Sequence, residues 1–208
     1  MTTSATISRR TQEERTAISD AAMAEAAVTL ICRRGAGETT LKEVGVLAGY
    51  SRGLAGYRFG SKAGLWSFLI KTIGEEWLAE LRRAVAGTSG LETIHAAVDA
   101  HSSFLVDSSD RTRAFYILWF DSVGPDSELR EVIAKVHERR RRDVERWILD
   151  GIAAGSVRAD ADMRAVAEQF VTAVIGITYQ WLVSPSEHDR VRQLHADLKE
   201  QMTRALGV

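Results

Sequence analysis

Apolar residues recur along most of this chain at steps of three and four, and no segment shows the strict alternation of a half-buried strand. The pattern predicts an all-α protein of about nine helices. A capping box formed by Thr11 and Glu14 opens the first, an alanine-rich stretch to about Arg34 with Ile18, Ala21, Ala22, Val28 and Cys32 on one side and Gly35 and Gly37 as its stop. A long helix capped by Ser61 carries Leu65, Phe68, Leu69, Ile73, Trp77 and Leu81 and ends near Gly87. Five more are predicted near Leu91 to Val106, Arg111 to Val123, Asp126 to Ala154, Asp162 to Val183 and Glu187 to Leu206. Both prolines, Pro125 and Pro185, fall in the breaks between them, where a missing amide donor does no harm.

Between the first and the long helix lies TLKEVGVLAGYSRGLAGYRFGSK, Thr40 to Lys62. Thr40 and Glu43 form a second capping box, Leu41, Val44, Leu47 and Ala48 give one apolar face, and Gly49 stands where a left-handed residue ends a helix. Tyr50 is placed as an inward wedge in the turn and Ser51 as the N-cap of a second helix of about two turns, with Ala55 and Phe59 on its buried side. Two short helices joined by a glycine turn make a helix-turn-helix, whose second helix enters the major groove of DNA. Arg52, Gly53, Leu54, Gly56, Tyr57 and Arg58 remain outward.

The composition agrees with a folded domain pair. The chain has 208 residues, 45% hydrophobic and 26% charged, which is ordinary for a globular protein. Its apolar runs are too short for a bilayer helix and Met1 to Arg10 lacks an apolar signal core, so a cytoplasmic protein is expected. The single cysteine, Cys32, cannot form an internal disulfide. The formal net charge of −1 argues against nucleic acid until its distribution is considered: the first 62 residues hold nine Lys and Arg against six Asp and Glu.

Two domains are expected, residues 1–70 as the DNA-binding unit and 71–208 as a helical dimerisation unit, with the boundary inside the fourth helix. From Ala165 to Val183 apolar side chains surround the helix, including Val166, Phe170, Val171, Val174, Ile175, Ile177, Trp181 and Leu182. Ala167, Ala173 and Gly176 would admit a close neighbour, and the last helix offers a stripe of Val191, Leu194, Leu198 and Met202. A homodimer through the last two helices is expected, against an ordinary monomeric core.

The stretch Ala48 to Leu65, AGYSRGLAGYRFGSKAGL, is similar to the signature of the TetR family of bacterial transcriptional regulators, approximately A-G-V-S-x-G-x-L-Y-x-H-F-x-x-K-x-x-L. Gly49, Ser51, Gly53, Phe59, Lys62, Leu65 and the Thr40 opening carry the likeness, which is close over the first quarter of the chain. It implies a homodimer that binds palindromic double-stranded operator DNA, usually as a repressor, and lets go when a small molecule enters the C-terminal domain. No cofactor is implied. Thr40 and Lys42 would contact backbone or bases, Arg52, Gly53, Leu54, Tyr57 and Arg58 would face the groove, and Lys62 would meet a phosphate. Gly56 departs from the family's phosphate-binding tyrosine and Arg58 from its histidine; Tyr57 is one candidate for the missing contact. Arg52 and Arg58 are the candidates for bidentate contact to guanine, and Leu54 for a thymine methyl.

An effector site asks for an apolar pocket with a few polar groups. His101, Phe104, Tyr116, Trp119, Phe120, Trp147 and Tyr179 are the candidate lining, with Asp121 as a further polar group; most aromatic residues of this half serve the core. Arg139 to Arg142 read as a solvated face, paired at i,i+4 with Glu138, Asp143 and Glu145, against a second DNA site. Arg9 and Arg10 read equally as a minor-groove arm or a tail. His95 with Asp99, and His188 with His195, share helix faces but give only two ligands each, too few for a metal. No nucleophile-elbow, zincin or P-loop motif occurs. A helical carrier or enzyme with an incidental helix-turn-helix remains the alternative function.

Overall fold

The computed structural model describes residues 11–107, 110–124 and 129–208. Among them run nine helices and no strand: α1 (Gln12–Arg34), α2 (Leu41–Leu47), α3 (Leu54–Phe59), α4 (Lys62–Ala84), α5 (Gly90–Val106), α6 (Asp110–Asp121), α7 (Arg130–Ala153), α8 (Met163–Val183) and α9 (His188–Leu206). The all-α expectation stands. The Arg9 and Arg10 arm, the Pro125 break and the expected Asp126 start of the seventh helix lie outside the described residues. No described helix is long and apolar enough to cross a membrane.

The chain divides into two compact units inside α4, between Phe68 and Leu69. In the first, α1 packs on α2 and α2 on α3. Both expected capping boxes form, each threonine oxygen accepting from the third helical amide while the glutamate accepts from the cap amide. The core differs from the expected one. Met23, Ala27 and Ile31 are fully buried on α1, whereas Ile18 and Ala21 are exposed and Cys32 is half-buried. In an alanine-rich helix the apolar stripe fits more than one rotation, and the two large side chains, Met23 and Ile31, settle it.

The turn between α2 and α3 also differs. Val44 and Gly45 face inward, while Leu47 and Tyr50 are exposed, so Tyr50 is no wedge. Gly45 is what allows the turn: a Cβ there would lie 2.6 Å from the Ser51 carbonyl oxygen. Its own carbonyl accepts from the Tyr50 amide at 2.9 Å. Gly49 adopts φ +81°, as its C′ position requires. Ser51 does not cap α3. Its carbonyl accepts from the Leu54 amide, and the cap position is Gly53, which has no side chain to offer. Ser61 does cap α4, its hydroxyl accepting from the Gly64 amide at 3.0 Å.

In the second unit, α5 packs on α7 and α9, and α8 on α6, α7 and α9. Two backbones nearly touch where α5 begins and α7 ends, since a Cβ on Gly151 would meet the Gly90 Cα at 2.7 Å. The stripe expected to face a partner from α9 is spent inside this unit: Val191, Leu198 and Met202 are buried. Most of the large apolar side chains of α8, Val166, Phe170, Val171, Val174, Ile177 and Trp181, are buried as well, leaving Tyr179 and Val183 exposed on its outer side. The four-arginine run is a solvated face only in part. Arg139 and Arg142 pair with Asp143 and Glu138 as expected, but Arg141 reaches Glu168 on α8 at 3.4 Å instead of Glu145, and Arg140 lies over the Trp119 ring at 4.9 Å.

Candidate functional site

Two groups of residues carry chemistry, one exposed and one buried. The exposed group is the helix-turn-helix. Its first helix is fixed at the N-terminus by Glu43, which accepts from the Thr40 hydroxyl at 2.5 Å and from Arg34 Nη2 at 2.6 Å. The hydrogen bond from the Arg34 guanidinium, then that from Thr40, holds the Glu43 carboxyl down at about 2. The Thr40 hydroxyl is therefore already committed to its cap, and Lys42 projects into solvent from the next turn.

The expected groove residues separate into engaged and unengaged ones. Arg52, Gly53 and Tyr57 are exposed, Tyr57 to 87%, and neither the Arg52 nor the Tyr57 side chain makes a hydrogen bond or ion pair among the described residues. Leu54 is half-buried, so only its edge is available to a methyl group. Arg58 is bound to Asp20 of α1 through two hydrogen bonds, which make the Arg58 guanidinium hold its proton more firmly than usual. Lys62 donates to the Gly37 carbonyl oxygen at 2.7 Å, across the loop that follows α1. Around Gly53 and Gly56 a Cβ would meet nothing, so this surface admits close approach of another backbone.

The buried group lies in the second unit. His101 of α5, Tyr116 and Trp119 of α6, Thr178 of α8 and His195 of α9 are all nearly inaccessible. Hydrogen-bond directions there are fixed by a carbonyl. The Val191 oxygen lies 2.7 Å from His195 Nδ1, so that nitrogen carries the proton and Nε2 is a bare acceptor. His101 Nδ1, 2.9 Å from His195 Nε2, must then donate, which leaves His101 Nε2 as an acceptor. The Tyr116 hydroxyl donates to it from 3.3 Å, while Thr178 gives its proton to the Val174 carbonyl. Both rings are neutral. Burial holds each below the usual histidine range, with the charge of Arg140 adding to the effect on His101.

Aromatic rings enclose this relay. Trp77 stacks on Phe104 with centroids 4.8 Å apart and meets His101 edge-on, and Phe115, Tyr116, Trp119 and Trp181 continue the cluster. The structure thus brings together four expected effector residues, His101, Phe104, Tyr116 and Trp119. It places the others elsewhere: Phe120 pairs with the exposed Tyr179 at 5.7 Å, and Trp147 makes no ring contact with the cluster. Asp121 is exposed at the end of α6.

Trp77, Thr178 and His195 are the members that sequence reading missed. Only His195 had shown a signal, as a same-face partner of His188, which itself points to solvent. His95 and Asp99 turn toward α9, bonding Thr203 and Lys199. Among the described residues no three His, Cys, Asp or Glu side chains gather into a metal site.

Comparison with known proteins agrees with this organisation. The profile described as bacterial regulatory proteins, tetR family, matches residues 24–67, and that described as BetI-type transcriptional repressor, C-terminal, matches residues 90–206. No curated protein matches the sequence. Among solved structures, the triclosan complex of SmeT, the repressor of the Stenotrophomonas maltophilia multidrug efflux pump SmeDEF, superposes with a TM-score of 0.76. Identity is 18%, over 91% of this chain and 92% of that one. NalD, the secondary repressor of the Pseudomonas aeruginosa MexAB-OprM efflux pump, gives 0.74 at 19% identity, over 93% and 98% of the two chains. Salmonella enterica GusR gives 0.72 at 18%, over 90% and 95%. Identities this low establish the fold, while the C-terminal profile alone spans more than half of the chain. The chain belongs to the TetR family of bacterial regulatory proteins and is a DNA-binding transcriptional repressor.

Proposed function

We propose that this repressor acts in the cytoplasm as a homodimer on a palindromic operator and is released by a small, largely apolar effector bound in the second unit. The observation that carries the reading is the exposed surface before and on α3, where Arg52 and Tyr57 have their polar groups uncommitted beside two glycines. Arginine on such a surface reads guanine through two hydrogen bonds, and glycine lets the duplex come close. Lys62, tied to a neutral carbonyl, is available to a phosphate by a small rotation.

A second copy has a surface to use. Ala165, Gln169, Thr172, Gly176, Tyr179 and Val183 are all exposed on α8 and recur at alternating steps of four and three, the spacing of a helix seam. They and the outer face of α9 would form the interface, in place of the α9 stripe that the core has taken up. Two-fold symmetry in the protein then demands it in the operator.

The effector reading rests on the relay. His101 Nε2 is a buried acceptor whose hydrogen bond from Tyr116, at 3.3 Å, is long, so an effector hydroxyl or N–H would compete for it inside an aromatic enclosure. Charged effectors are disfavoured by the same burial. Coupling would run along α4, one continuous helix with Lys62 at its start and Trp77 among the core aromatics. To cause release, the effector must favour the arrangement that does not fit DNA.

Selection of bound duplexes from random DNA, with and without a panel of neutral phenols and alcohols, tests the reading. Recovery of a palindrome with two half-sites, lost when an active compound is added, is the expected result. Recovery of single half-sites would remove the dimer, and no enrichment would remove the operator.

A further inference from the structure

Asp20 on α1 and Arg58 in the last turn of α3 are 38 positions apart, yet they form a two-point pair. Arg58 Nε donates to Oδ1 at 2.8 Å and Nη2 to Oδ2 at 2.5 Å. Arginine reads O6 and N7 of guanine through a two-donor edge of the same kind, and the pair with Asp20 occupies the Nε–Nη2 edge of Arg58. One guanidinium edge cannot serve both partners. The Asp20 side chain is only 13% exposed, so the competitor is held in place by the fold and is not a mobile surface acid.

The helix that bears Arg58 has little rigidity of its own. It is six residues long, contains Gly56 and begins at Gly53 without a side-chain cap. A helix of that length keeps its direction through tertiary contacts. Those contacts are the burial of Ala55, the packing of Phe59 against Phe68 at 5.2 Å, and the Arg58 pair. Position points the same way: bases are read chiefly from the N-terminal end of a recognition helix, and Arg58 lies at the C-terminal end.

We propose that Asp20 is a specificity-determining residue that withholds Arg58 from the bases, turns it into a strut between α3 and α1, and leaves readout to Arg52 and Tyr57. The inference rests on the DNA-reading assignment made above. Asp20 narrows what the protein reads by removing one of its two guanine-reading arginines from use.

The test is sequence selection by wild type, Asp20→Asn, Asp20→Glu and the double variant D20N/R58A. Asparagine is nearly isosteric but offers one acceptor and no charge, so it frees the guanidinium. A new guanine preference of roughly tenfold or more is expected at one position of each half-site for Asp20→Asn. Asp20→Glu, which retains a bidentate acceptor, is expected to keep the wild-type profile, and the double variant to lack the new guanine. An unchanged profile for Asp20→Asn overturns the proposal. So does failure of Asp20→Asn to fold where Asp20→Glu folds, because the pair would then serve folding and not readout. Arg58→Gln supplies an independent check: it is expected to bind more weakly with the same preferred bases, and loss of a preferred base would show that Arg58 already reads one. If wild type selects no sequence, the DNA-reading assignment fails; if it selects one that Asp20→Asn leaves unaltered, only the role of Asp20 fails.

Discussion

The helix-turn-helix and the buried relay dispose of their polar groups in opposite ways. Around α3 the protein leaves Arg52 and Tyr57 uncommitted in solvent, and it stabilises the surrounding backbone with caps, a glycine turn and the Asp20 pair. In the second unit every buried side-chain donor and acceptor among the described residues has a partner: His101 bonds across to α9 and α6, while His195 and Thr178 also bond carbonyls of their own helices. A surface built to read DNA must keep its donors available, whereas a core that admits a ligand must first satisfy itself without one. The two regions should therefore respond differently to loss of volume, to acid and to backbone crowding.

Loss of volume should show the largest contrast. Trp119 is buried under Arg140 and against Phe115, Tyr116 and His137, so Trp119→Ala is expected to destabilise the second unit by about 3–5 kcal/mol. Urea unfolding measures this. The same variant should bind operator with unaltered base preference and respond weakly to effector. A loss below about 1 kcal/mol, or a changed base profile, would break the division of roles.

Acid separates the regions next, because all five histidines lie between His95 and His195 and none in the first unit. His101 and His195 are held below the ordinary value of 6.5, chiefly by burial. Their contribution to stability is complete above pH 6.5, where the unfolded chain is also neutral, and is lost as pH falls and only the unfolded chain binds protons. The slope is about 1.4 kcal/mol per pH unit for each histidine involved. Thermal melts between pH 7 and 5 should fall steeply for wild type and by about one proton less for His101→Gln. Parallel curves would show that the relay is not what acid attacks.

Backbone crowding should act on the first unit. The Cβ of Gly45→Ala would sit 2.6 Å from the Ser51 carbonyl, an overlap that costs about 1–3 kcal/mol, while alanine returns up to about 1 kcal/mol of helix propensity. The net effect, about 1–2 kcal/mol of destabilisation, should abolish DNA binding and leave effector binding intact. Retained operator affinity would mean that α2 and α3 tolerate a wider turn.

The same contrast explains what could be seen in the sequence. The residues proposed to read DNA sit within one stretch, Thr40 to Lys62, where caps and glycines act on near neighbours and leave a local signature. Even there, Gly45 was missed, because the carbonyl it makes room for belongs to a turn whose path is set by the fold. Asp20 was missed for a similar reason: nothing near α1 announces a partner on α3. The relay spans α4 to α9, and its aromatic members are indistinguishable by periodicity from plain core residues. Tyr179 on α8 and Phe120 on α6 have the right chemistry and the wrong rotation, which helix spacing alone could not show where apolar residues fall on more than one side of a helix.

The smallest effect belongs to Glu43, and it turns the acid comparison around. Its carboxyl is lowered from 4.5 to about 2, first by the hydrogen bond from Arg34 and then by that from Thr40. The stabilisation this gives α2 is complete above about pH 4.5 and disappears as pH falls through about 2, well below the range in which the histidines act. The group is exposed, so the contribution is small and local. Hydrogen exchange of the α2 amides, corrected for intrinsic rate, should show protection falling between pH 4.5 and 2 in wild type. Glutamine at this position still accepts from the Thr40 amide but carries no charge for Arg34. Glu43→Gln should therefore begin with lower protection and show no acid slope. If it keeps the wild-type slope, the acid sensitivity of α2 comes from another carboxylate, and the Arg34 pair does not secure the entrance to the reading helices.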